Sequence, residues 1–196
     1  MAETILQYEA PCLYFRKPGG KNTQAVLEAV SGRAKELSIG KVVIASCSGR
    51  TAYEALKILD KDIKMIVVTH VTGYEKPDHQ ELSAEDRIAL EAQGVTVLTC
   101  QHAFGGVGRA VRNKLATYQV DEIMAYTLRI FGQGVKVAVE LALMAADAGL
   151  VRTDEDIISI GGTGRGVDAA VVLTPANNAR FFDLKIREVI CKPAIF

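Results

Sequence analysis

Val42-Val43-Ile44-Ala45-Ser46-Cys47-Ser48-Gly49-Arg50-Thr51 opens as an unbroken apolar run and ends in a polar turn holding one glycine. An apolar run without alternation predicts a strand covered on both faces, as in a parallel sheet flanked by helices. Past the turn, Ala52, Ala55, Leu56 and Leu59 recur at helical spacing and predict a helix from Thr51 to about Leu59. Strand, glycine turn and helix in that order make the first half of a βαβ unit, which sets the fold class as α/β.

The same design returns twice. Val95-Thr96-Val97-Leu98 precedes Gly105-Gly106-Val107-Gly108-Arg109, and Ile157-Ile158-Ser159-Ile160 precedes Gly161-Gly162-Thr163-Gly164-Arg165-Gly166. A further Gly-Arg pair, Gly32-Arg33, sits inside a helical pattern, so the weight lies in the position after a strand. Glycine lets the backbone turn sharply and approach a ligand closely. A helix opening there presents unpaired N–H groups and its positive end to an anion. Arginine adds a planar fork matched to phosphate. Loops at the carboxyl ends of parallel strands gather on one sheet edge. The three loops therefore predict a crevice for an anionic, phosphorylated small molecule. Ordinary tight connections carrying surface arginines are the competing reading.

Around these loops the chain reads as a three-layer α/β/α fold: a mostly parallel sheet with an antiparallel C-terminal hairpin. Residues 1–21, with Pro11, Pro18, Gly19 and Gly20, predict an irregular lead-in. Asn22 or Thr23 then caps a helix with Val26, Ala29, Val30, Ala34 and Leu37 on its apolar side. Met65–Thr69 predicts a second buried strand, and Val71–Leu82 a polar surface loop or lid over the strand ends. Ser83 and Asp86 resemble a capping box. Helices are expected through Arg112 to Ala116, over 121–131 and over 133–149, the last mostly buried with Lys136, Glu140 and Asp147 on one narrow stripe. Strands 156–160 and 169–174 read as the hairpin, and Leu184–Ile190 as a final edge strand. The apolar hairpin edge offers a place for a second copy, leaving a homo-oligomer open.

A chain of 196 residues is read as one domain, 1–196, able to bury roughly 70% of its unfolded surface. Zero formal net charge and 6% aromatic residues argue against a nucleic-acid partner. The N-terminus lacks a charged-then-apolar leader, and Lys136, Glu140 and Asp147 interrupt the apolar stretch Val135–Val151. The expectation is a cytoplasmic protein without membrane partner. Cys12, Cys47, Cys100 and Cys191 form no Cys-x-x-Cys pair and read as reduced thiols; no metal-ligand spacing is visible, and no metal is expected. Cys47 stands ahead of a helix start, where a thiol pKa is lowered, against the plainer reading of inert packing.

For chemistry, His70 directly follows a strand end and is the candidate general acid–base. Thr69, Thr72, His102 and Asp168 are placed to contribute, while His79 belongs to the polar loop. There is no Ser-His-Asp order, and Gly106-x-Gly108 lacks the third glycine of a dinucleotide fingerprint. Whether the chain is an enzyme stays open at this level.

Ser48-Gly49-Arg50-Thr51-Ala52 after an apolar strand, followed by Ile66-Val67-Val68-Thr69, resembles the C-terminal domain of pyruvate kinase. The hairpin with its Gly161–Gly166 loop and a Thr-Pro strand end resembles the last hairpin of that domain. There the matching loops hold the phosphates of a sugar bisphosphate effector. The resemblance implies that Ser46, Ser48, Gly49, Arg50 and Thr51 cradle one phosphate, with Gly162, Thr163, Gly164, Arg165 and Gly166 approaching from the other side. Pyruvate kinase activity is not implied, because the resemblance does not extend to a catalytic barrel. The segment Val71–Phe104, the tail Phe181–Pro193, Phe131-Gly132-Gln133-Gly134-Val135-Lys136 and Ala145-Ala146-Asp147-Ala148-Gly149 are similar to free-standing pyruvate kinase C-terminal-like proteins of archaea and bacteria. That resemblance implies flavin mononucleotide (FMN) as cofactor, its phosphate in the Ser48 loop and its ring lined by Gly105-Gly106 and Gly161-Gly162. The alternatives are a non-redox enzyme acting on a phosphorylated metabolite through His70, and an effector-sensing module without catalysis.

Overall fold

In the computed structural model, which describes residues 7–196, the apolar runs assemble into one seven-stranded sheet. In chain order its strands are β1 (Leu13–Phe15), β2 (Lys41–Ala45), β3 (Lys64–Val68), β4 (Thr96–Leu98), β5 (Ile157–Gly161), β6 (Ala169–Thr174) and β7 (Lys185–Pro193). The helices are α1 (Thr23–Glu36), α2 (Arg50–Ala55), α3 (Ala84–Glu91), α4 (Val107–Leu115), α5 (Val120–Arg129) and α6 (Gln133–Asp147). Across the sheet the strands run β1-β7-β6-β5-β2-β3-β4. β2 is parallel to β5 and β3, β3 to β4, and β1 to β7, whereas β6 runs antiparallel to β5 and β7. This is the mostly parallel α/β sheet with an antiparallel C-terminal hairpin.

The alternation of the pleat divides the core. Val42 and Ile44 face α1, α2 and Leu90 of α3, while Val43, Ile66 and Val68 face α6. On its far side α6 meets α5, where Val139 and Leu143 pack against Ala125 and Phe104. Sandwiched this way, α6 is buried along most of its length, Lys136 and Glu140 included. Among the described residues no helix is long and apolar enough to cross a membrane.

Several local expectations are corrected. β1 lies within the supposed irregular lead-in and pairs with β7 in the register Tyr14↔Lys192. Three residues are too few to display an alternation. β7 is therefore internal, and β6 has a neighbour on each side. The hairpin edge is not free for a second copy. α2 ends at Ala55 and continues only as turns to Leu59. Asn22 precedes α1 without a side-chain cap; its Nδ2 donates to Lys17 O at 2.8 Å, and Thr23 Oγ1 instead accepts from Val167 N–H at 3.2 Å.

Candidate functional site

The parallel register Ala45↔Val68↔Leu98, with Ile44↔Ile160 on the other side, aligns the carboxyl ends of β5, β2, β3 and β4. The segments leaving these strands share one edge of the sheet. The N-terminus of α6 meets the same edge, so close that a side chain on Gly161 would run into Gly134 O.

The loop after β2 is a tight entry into α2. Gly49 takes φ 82, the left-handed region that favours glycine. Ser46 is buried and its Oγ accepts from Ala52 N–H at 3.2 Å, satisfying one donor of the first helical turn. Thr51 is buried beneath, whereas Ser48 and Arg50 are exposed. Arg50 Nε lies 3.6 Å from Glu54 Oε1.

The loop after β5 is organised from inside. Asp168 is fully buried, and its Oδ2 accepts from Gly19 N–H at 2.7 Å and Thr163 N–H at 3.2 Å. Its Oδ1 abuts Gly134 at the start of α6, where the helix dipole favours a carboxylate. Gly162 and Gly166 pack against backbone, Gly166 against Gly20, so their lack of a side chain serves this packing. Gly164 and Arg165 face outward.

Between the β2 and β4 exits stands a polar cluster from the long 69–83 segment. Thr69 is buried; its Oγ1 shares a hydrogen bond with Thr99 Oγ1 at 2.7 Å and donates to His70 O at 2.9 Å. His70 Nδ1 meets Glu81 Oε2 at 2.5 Å. Gln80 Nε2 donates to His70 O at 3.1 Å, tying the end of the loop to its beginning. Thr72 is exposed and lies 3.4 Å from the same Nε2. Tyr74 stacks on His70 with ring centroids 4.0 Å apart and on His102 at 5.2 Å, and Arg109 lies over its ring at 4.9 Å. Burial holds the His102 pKa below its ordinary value, with the charges of His70, Lys136 and Arg109 acting the same way against Glu140. Cys47 completes the cluster: burial, then the charge of Glu81, pushes its thiol up to about 11. Desolvation outweighs the lowering that a helix start would give this thiol.

Next to this cluster, a cavity of about 290 Å³ is lined by Arg109, Arg112, Arg129 and Lys136 together with Tyr74, Phe104, Glu122, Ala125 and Tyr126. Glu122 pairs with Arg112 at 3.1 Å, and Glu140, behind the wall, holds Lys136 Nζ at 2.5 Å and accepts from Phe104 N–H at 2.9 Å. Burial lowers the Lys136 pKa against the pull of Glu140. Among the described residues neither Arg109 nor Arg129 forms an ion pair; Arg129 Nε donates to Gln133 Oε1 at 2.6 Å. A second cavity, of about 320 Å³ beside Cys100, His102, Met144 and Asn178, has no lysine or arginine in its lining. The second Gly-Arg loop contributes to the first cavity through Arg109. Gly105 and Gly106 leave room for Arg109 and Gln101 side chains rather than for open space.

His70 was legible from its place after a strand, but Tyr74, Glu81, Arg112, Arg129 and Lys136 were not singled out as site residues. One signal was available. Extending the register Ala45↔Val68 by two residues brings Cys47 opposite His70 on the α6 side of the sheet.

The family model described as pyruvate kinase, alpha/beta domain, matches residues 24–173. That span runs from α1 into β6 and holds every loop of the crevice, leaving β1 and β7 outside it. The chain belongs to the pyruvate kinase alpha/beta domain family.

Proposed function

We propose that this chain binds a phosphorylated small molecule at the carboxyl edge of the sheet, with FMN as the specific candidate. The observation that carries the reading is the 290 Å³ cavity, where Arg109 and Arg129 have guanidinium groups that no carboxylate engages among the described residues, beside the carboxylate-paired Arg112 and Lys136. Charge concentrated in a concave, partly desolvated site is what a phosphate needs and what a solvated surface arginine does not provide. His70, Tyr74 and His102 pack as a triangle of rings with centroids 4.0, 5.2 and 5.5 Å apart, and Tyr74 also lines that cavity, an aromatic wall that fits a planar ring such as that of FMN. Bound there, FMN would supply two-electron redox chemistry; the protein's part is to hold the phosphate and orient the ring. The Ser46–Thr51 turn and the outward Gly164-Arg165 tip lie on the same edge of the sheet but supply none of the residues that line this cavity.

The His70–Glu81 contact favours a second reading, general acid–base work on a non-redox phosphorylated substrate, since a carboxylate on one ring nitrogen orients the imidazole. The absorption spectrum of the freshly purified protein, followed by thermal-shift screening, separates the two. A flavin spectrum, or stabilisation by FMN above that by other phosphate esters, supports the first reading. Stabilisation by phosphorylated metabolites with none by FMN leaves the cavity assignment and removes the flavin.

A further inference from the structure

We infer that Cys47, His70 and Glu81 form a binding site for a divalent cation of the zinc class, independent of what occupies the arginine-lined cavity. One ligand atom from each, Sγ, a ring nitrogen and a carboxylate oxygen, lies within 4.8 Å of the other two. Zinc bonds of about 2.0–2.3 Å in a tetrahedral shell set such donors roughly 3.3–3.7 Å apart, so small side-chain rotations that open the 2.5 Å His70–Glu81 contact would admit the ion.

The arrangement differs from a nucleophile–histidine–carboxylate relay. In a relay the imidazole separates the two end groups, which then stand two hydrogen bonds of roughly 3 Å plus the ring apart. Here Sγ and the carboxylate oxygen are themselves within 4.8 Å, so the three donors surround a point. A hydrogen bond between His70 Nδ1 and Glu81 Oε2 holds two of them together at 2.5 Å.

Support comes from outside the donors. Gln80 donates to His70 O at 3.1 Å and accepts from Leu82 N–H at 3.2 Å, bracketing Glu81. Tyr74 stacks on the imidazole at 4.0 Å and fixes its plane. The His70 and Glu81 side chains keep 30% and 20% exposure, so one side of the site stays accessible. Three protein donors with an open position are the pattern of a catalytic zinc site, and a sulfur donor selects against magnesium and calcium. As the metal–sulfur bond forms, the thiol proton leaves to solvent. A cation held there also withdraws His70 from acid–base work.

Cobalt(II), which replaces zinc and absorbs visibly, gives the test. The full chain, reduced and stripped of metal, is titrated with cobalt and then back-titrated with zinc. The inference expects one equivalent bound, intense tetrahedral bands and a thiolate-to-cobalt charge-transfer band, all displaced by zinc. Cys47→Ser should remove the charge-transfer band, and Glu81→Gln should weaken binding at least about tenfold while circular dichroism stays unchanged. Glu81→Gln also keeps the test decisive should Cys47→Ser fail to fold. Only the weak spectrum of hydrated cobalt, a charge-transfer band that survives Cys47→Ser, or affinity indifferent to Glu81→Gln would overturn it.

Discussion

His102 illustrates how one buried side chain ties stability to pH. It accepts from Val71 N–H through Nε2 at 3.4 Å, a role only an unprotonated nitrogen can fill. Burial holds its folded-state pKa below the ordinary 6.5. Below pH 6.5 the unfolded chain therefore takes up this proton before the folded chain does. Stability from this residue is complete above that pH and declines as pH falls toward the depressed folded value, by at most about 1.4 kcal/mol per pH unit. Urea denaturation at steps between pH 7.5 and 5 is expected to show that decline, and His102→Gln to flatten it. An equal slope in the variant would assign the decline to other groups. The paired carboxylates Glu155 and Glu188, whose pKa values are lowered, act in a more acidic window.

At the level of elements, α6 carries the largest electrostatic commitment. It runs between the sheet and α5 with Lys136 and Glu140 paired inside, 6% and 4% exposed. Glu140 also satisfies Phe104 N–H, so it pins the segment between β4 and α4 to the helix. Removing one partner leaves the other charge buried and alone, a loss of roughly 3–5 kcal/mol. Glu140→Leu should destabilise by that order in urea unfolding, and Lys136→Met/Glu140→Leu should recover much of it. A double variant no more stable than the single one would show that the Phe104 hydrogen bond, not the ion pair, dominates. Apolar periodicity made α6 readable as a buried helix, but a lysine and a glutamate one turn apart look the same whether they face water or a second helix. Only the packing of α5 distinguishes the cases. β2, β3, β5 and β6 were equally readable, because a strand covered on both faces is apolar throughout. β1 was not, since its three residues gain their meaning from β7, far away in the chain.

Over the whole molecule, the parallel register gathers the site. His70 and the glycine loops could be found from their positions after strands, which the sheet then brings to one edge. The cations of the cavity could not. Arg112 and Arg129 sit on two short helices where charged residues normally face solvent, and their convergence depends on how α4 packs on α5 and α5 on α6. Arg109 lines the cavity without a carboxylate partner among the described residues, whereas Arg50 is 58% exposed on its side chain and shares solvent with Glu54. Charge-assisted hydrogen bonds contribute roughly 1.5–3 kcal/mol each when shielded, and far less at an exposed site. The most direct measurement is the pair of dissociation constants for FMN and riboflavin, taken with the unaltered chain, Arg109→Ala and Arg50→Ala. The account predicts that the phosphate tightens binding at least about tenfold, that Arg109→Ala removes most of that advantage and that Arg50→Ala removes less. Equal affinity for FMN and riboflavin, or a phosphate advantage that survives Arg109→Ala, would contradict it.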